Sequence, residues 1–186
     1  MRRFILACAG LLACCYSIAG GAGQATAAGT AAKKAQQRTA ALAWLGGEIA
    51  GYQKATWRWE RTMGVPRVQT EGRLLAEMSI PDVQRAARLW QRRATLARQA
   101  AEKPPHLAQF LCIHHYEGGW RDGGGPYYGG LQMDLGFQRT YAPWLVRSKG
   151  TADHWTPLEQ IWTAERAAKS RGFWPWPNTA RSCGLI

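Results

Sequence analysis

The chain has 186 residues, 46% of them hydrophobic, and carries 24 Lys and Arg against 12 Asp and Glu, a formal net charge of +12. The excess is uneven: residues 28–104 hold 14 basic against 6 acidic side chains, whereas residues 105–186 hold 8 against 6. No zinc-finger spacing, RNP motif or other reader signature accompanies this charge, which argues against specific nucleic-acid recognition and turns attention to anionic polymers and lipid head groups.

Residues 1–27 read as a secretory signal. Arg2 and Arg3 precede an uncharged apolar run, and Ala25 and Ala27 flank Thr26 at an expected cut after Ala27. The glycines and polar tail leave fewer than the ~20 apolar residues of a spanning helix, so no membrane anchor is expected in the mature chain. An alternative cut at Cys14, in "LLAC", would make a lipoprotein. Export also frames the cysteines: Cys8, Cys14 and Cys15 leave with the signal, and Cys112 and Cys183 remain. Two distant cysteines in an exported protein are most simply a disulfide, with two free buried thiols as the alternative.

Residues 28–40 ("AGTAAKKAQQRTA") are small and polar and are expected to form a flexible linker. Residues 41–104 make a helical, basic, Trp-rich region. Its first part, with Ile49, Tyr52, Ala55, Trp57 and Trp59 as apolar positions, predicts a helix ending near Gly64. Ser79, Asp82 and Pro81 then mark a second helix start, and Val83, Ala86, Ala87, Trp90, Ala94, Ala97 and Ala101 fall on one face. Arg85, Arg88, Arg92, Arg93 and Arg98 occupy much of the rest of this amphipathic helix, which is either a solvated face or a surface for anionic wall polymers or membrane lipid. Pro104-Pro105 ends it, and a compact second domain is expected over residues 105–186.

That domain reads as a helix, an irregular glycine and aromatic loop, and more helices. Leu107, Phe110, Leu111 and His114 share a stripe, Gly118-Gly119 supplies the stop, and Glu117 lies in the last turn. The helix macrodipole and apolar surroundings there disfavour the charged form, so the acid is biased toward keeping a proton it could donate. Beyond it, Trp120, Tyr127 and Tyr128 offer flat faces that suit sugar rings. Gly129-Gly130 would let backbone approach a ligand, Gly123–Gly125 form a mobile lip, and Gln132 adds an amide suited to hydroxyl and N-acetyl groups. Acid, aromatic platform and amide together describe a glycan groove.

The ordered motifs "YEGGW", "YYGGLQ", "YAP", "TPLEQ" and "WPWP" resemble the resuscitation-promoting-factor type of transglycosylase-like domain, a small lysozyme-like fold of actinobacteria, over residues 106–186. The resemblance implies a mainly α chain with an α+β lysozyme-like catalytic domain behind the basic helical region. It implies Glu117 as the single catalytic acid, and Tyr128, Gly130 and Gln132 as lining of the groove. Gln160 matches a glutamine near the substrate, and Trp176-Pro177 match the step before the second cysteine. Cys112 and Cys183 would be the family's disulfide, although the family's cysteine directly precedes the glutamate, where this chain has Tyr116. Cys112 lies one helical turn earlier.

Most glycosidases use two carboxylates. Here Asp134 resembles a helix N-cap and Glu159 completes a capping box with Thr156, while Glu165 is expected to snorkel or pair with an arginine. Asp122, on the loop, could assist. A lone acid suits the lytic transglycosylases that the chain resembles, which act on the bond between N-acetylmuramic acid and N-acetylglucosamine of peptidoglycan and use no cofactor; a muramidase that hydrolyses the same bond is the other form of this reading. Adjacent His114 and His115 cannot make the i, i+4 pair of a zinc helix, so no metal is expected. The alternative is a secreted, non-catalytic wall-binding protein that retains the groove. "WPNTARS", before Cys183, has little periodicity and is expected to fray unless the bridge ties it down.

Overall fold

The computed structural model describes residues 21–69 and 75–186, with side chains from residue 27 onward. The apolar run of the expected signal, with Cys8, Cys14 and Cys15, lies outside the described residues, and Ala27 falls within the first helix, α1 (Gly21–Met63). Two units divide the chain, Met1–Ala41 and Leu42–Ile186.

In the first unit, residues 28–40 are helical rather than an irregular linker, with every side chain exposed. Alanine, lysine, glutamine and arginine dominate the segment and are the best helix formers, so local propensity suffices without a buried face.

The second unit begins with the rest of α1, which ends at Met63 where Gly64 adopts a φ of 72°, as the breaker at that position predicts. Helix α2 (Ile80–Ala101) starts as expected: the Ser79 hydroxyl accepts from the Asp82 N–H, and Pro81 sits in the first turn. Val83, Ala87 and Trp90 recur at helical spacing and bury against Leu45 and Ile49 of α1, with Trp57 edge-on to Trp90 at 6.0 Å.

There follow α3 (Leu107–Glu117), β1 (Tyr127–Tyr128), β2 (Met133–Asp134), α4 (Leu135–Tyr141), α5 (Pro143–Lys149), a 3-10 turn (Ala152–His154), α6 (Pro157–Arg171) and α7 (Pro177–Ser182). The two strands form an antiparallel hairpin with Tyr127 opposite Asp134 and Tyr128 opposite Met133. Asp134 caps α4 by accepting from the Phe137 N–H, and Thr156 with Glu159 makes the capping box of α6. Phe110, Ile113, Leu131, Met133, Trp155, Ile161 and Trp176 form one core. The chain is therefore mainly helical with a minimal sheet. Among the described residues no helix is long and apolar enough to cross a membrane.

Pro104-Pro105 ends α2 but does not divide the structure, because residues on both sides belong to Leu42–Ile186. The Trp162 indole on α6 donates to the Ala101 carbonyl at 2.8 Å and packs with Met63 and Ala101. The Arg166 guanidinium donates to the Thr62 carbonyl at 2.7 Å, the Tyr141 carbonyl at 2.5 Å and the Thr163 hydroxyl at 3.0 Å. One cation thus satisfies carbonyls at the ends of α1 and α4, where helices leave acceptors unpaired. Burial lowers its ordinary value to about 10, so it stays charged at neutral pH. Arg166→Met is expected to cost about 3 kcal/mol, because methionine keeps the packing but strands those carbonyls. Urea unfolding checks this, and an unchanged midpoint would contradict it.

Candidate active site

The helix that carries the acid is fixed at its start and along its length. At its start, Glu165 of α6, almost fully buried, accepts from the His106 backbone N–H at 2.7 Å and lies 2.9 Å from His106 Nδ1. A carboxylate is favoured at a helix N-terminus, so Glu165 caps α3 rather than snorkelling or pairing with an arginine. The buried stripe of α3 is Phe110 and Ile113, with Leu107 against the core, whereas Leu111 is 45% exposed. The helix is rotated slightly from the stripe its leucines suggested, because the aromatic core of Phe173 and Trp176 takes Phe110 at its centre.

At its middle, Cys112 is bonded to Cys183, with Cα atoms 6.1 Å apart. Tyr116, which stands where the resembled family has cysteine, is exposed. The bridge fastens α7 to α3, and little more than a turn further along the same pair the Thr179 hydroxyl donates to Glu117 Oε1 at 2.8 Å. Glu117 is half-buried and ends α3.

The loop beyond the acid is held by a second polar pair. Gln132 has a φ of 44°, a left-handed conformation uncommon for a residue with a side chain. In it, Nε2 donates to Asp122 Oδ2 at 3.1 Å and to the Gly129 carbonyl at 3.0 Å. A Cβ on Gly118 would lie 3.0 Å from Asp122 Oδ2 and 3.1 Å from Gln132 Nε2, so this pair rests against the backbone immediately after Glu117.

Three residues expected to meet a ligand lie beneath the surface instead. Gln160 is fully buried: Oε1 accepts from the Gly130 N–H at 2.8 Å, and Nε2 donates to the carbonyls of Trp120 at 2.9 Å and Ala152 at 2.8 Å. Both its donors are taken and the amide is fully buried, out of a substrate's reach. Gly130 is buried too, and a Cβ there would come within 2.5 Å of His114 Nδ1 and 2.7 Å of Trp120 Cε3. The glycine makes room for the chain's own stacked rings rather than for a ligand. Trp176 is 4% exposed, donates to the Leu131 carbonyl at 2.6 Å and meets Phe110 and Phe137 edge-on. Its indole finds an internal partner, as buried tryptophans do.

The remaining aromatics differ in access. Trp120 is half-buried with one face stacked on His114 at 3.8 Å, so a single face remains for other contacts. Tyr128 is half-buried with its hydroxyl beside Gly125, and Tyr127 is 52% exposed. Glu117, Trp120, Tyr127, Tyr128 and Gln132 thus keep access to solvent, over a floor of Gln160, Gly130 and Trp176. Among the described residues no three His, Cys, Asp or Glu side chains group as a metal ion requires.

The sequence reading names Asp122 and Gln132 separately beside the acid but neither their pairing nor Thr179. A signal existed for Thr179: a threonine near Pro177, on a segment leashed by Cys183 to the helix of Glu117, has few other places to go. No family model matches the chain, and no curated protein does.

Proposed function

We propose that the protein is an exported, wall-associated enzyme of lysozyme-like type that cleaves peptidoglycan glycan strands between N-acetylmuramic acid and N-acetylglucosamine. The observation that carries the reading is the state of the six carboxylates in residues 105–186. Glu165 caps α3, Asp134 caps α4, and Glu159 is held by Thr156 and Lys149. Asp153 meets His154 through one oxygen and buries the other, and Asp122, on the loop rather than on a helix, accepts from Gln132 through one oxygen. Glu117 alone ends a helix beside the aromatic loop with only a hydroxyl on one oxygen.

With Oε1 accepting from Thr179, Oε2 is left to carry the catalytic proton. Glu117 gives that proton to the bridging oxygen as the bond from the muramyl C1 breaks. The carboxylate then takes the proton of the muramyl 6-hydroxyl as its oxygen bonds to C1, which closes a 1,6-anhydro ring and restores the acid. The step consumes no water and uses no second carboxylate, metal or cofactor. Tyr127, Tyr128 and the free face of Trp120 supply stacking surface.

Incubation with purified sacculi tests the proposal: soluble muropeptides are expected, and cosedimentation without release would leave a wall-binding protein. Within this scheme Thr179 orients the acid. Thr179→Val, which keeps the shape and removes the hydroxyl, is expected to lower kcat roughly tenfold with little change in KM, and Thr179→Ser to recover it. Steady-state kinetics on soluble muropeptides check this, and equal kcat in Val and Ser variants would contradict it.

A further inference from the structure

On the side of α2 turned away from α1, Arg85, Leu89, Arg92 and Leu96 follow at steps of four, three and four, which places them in one stripe along the helix. Leu89 and Leu96 are 58% and 57% exposed, while the buried face is Val83, Ala87 and Trp90. Arg93 flanks the stripe with its guanidinium over the Trp90 ring at 4.9 Å. The helix carries five arginines and one acid, Asp82, which is paired with Arg85. Among the described residues no carboxylate pairs with Arg88, Arg92 or Arg93.

We propose that this face docks on an anionic lipid surface. Leucine favours the helix wherever it faces, but Leu89 and Leu96 stand on the arginine ridge itself, so apolar and cationic side chains share one exposed surface. A polyanionic polymer would engage the arginines and leave the leucines in water. A second copy of the chain would set one arginine stripe against another, and like charges oppose that pairing. An anionic bilayer satisfies both kinds of residue at once: phosphate head groups take the guanidinium forks, and the leucines enter the boundary with the acyl chains. The arginine stems reach upward from the same ridge, so the helix lies in the plane of the interface.

The test is cosedimentation of the chain from Ala28 onward, which retains the whole of Leu42–Ile186, with vesicles of phosphatidylglycerol and phosphatidylcholine or of phosphatidylcholine alone. Binding is expected only to the anionic vesicles. Leu89→Ser with Leu96→Ser, which changes no charge and touches no buried residue, should lower the partition about tenfold. Arg92→Gln should lower it about fivefold. Circular dichroism of each variant should match the parent, as the altered side chains are exposed. Leucine variants that bind anionic vesicles as well as the parent would reduce the face to a polyanion site and overturn the proposal. So would a parent chain that ignores the vesicles.

Discussion

Glu117→Gln is expected to release no measurable muropeptide from sacculi while still sedimenting with them. General acid catalysis is worth about 10² to 10⁴ in rate. Because the same group also serves as base in ring closure, the loss should reach at least about a thousandfold. The amide preserves the shape at the end of α3, and its carbonyl can still accept from the Thr179 hydroxyl, so the loop with Asp122 and Gln132 keeps its support. Turnover and glycan affinity should therefore separate in this variant. Cleavage by the Glu117→Gln chain at the parent rate would remove the acid from the mechanism.

The second large effect is expected from Cys183→Ser. The bridge spans 71 residues, and by chain entropy such a loop contributes on the order of 4 kcal/mol. For a unit of this size that corresponds to a fall in Tm of roughly 10 °C. Activity should fall as well, for a local reason. α7 has six residues, too few to be stable alone, and it brings the Thr179 hydroxyl to Glu117. Releasing Cys112 frees the segment at one end and loosens the hydrogen bond on the acid. Thermal melts and turnover on the same preparation check both effects. Full activity at a lowered Tm would show that Trp176 and Ala180, both buried, hold α7 in place without the bridge.

What could be read from the sequence was what is written within a few residues. Ser79 and Thr156 name the starts of α2 and α6, and the spacing of Val83, Ala87 and Trp90 names the buried face of α2. Asp134 as a cap belongs with these, whereas the pairing of Cys112 with Cys183, 71 residues apart, was legible because no other cysteine lies beyond residue 27. What could not be read depends on distant partners. Arg166 meets the Thr62 carbonyl across 104 positions, and such contacts unite the two sides of Pro104-Pro105. Gly130 and Gln160 have the same composition whether they face a ligand or each other, and only the packing of His114 and Trp120 decides it. Residues 28–40 misled in the opposite sense: they lack an apolar stripe, yet alanine, lysine and glutamine need none to be helical. The candidate site was thus legible at its acid and its exposed aromatics, but not in the polar framework that holds them.

The most direct test of a single acid acting through the substrate's own hydroxyl is mass spectrometry of the fragments released from purified sacculi, with Glu117→Gln treated in parallel. The account predicts muropeptides one water lighter than hydrolysis products, ending in a 1,6-anhydro ring, and none from the variant. Fragments carrying the added water, or identical products from both proteins, would contradict it.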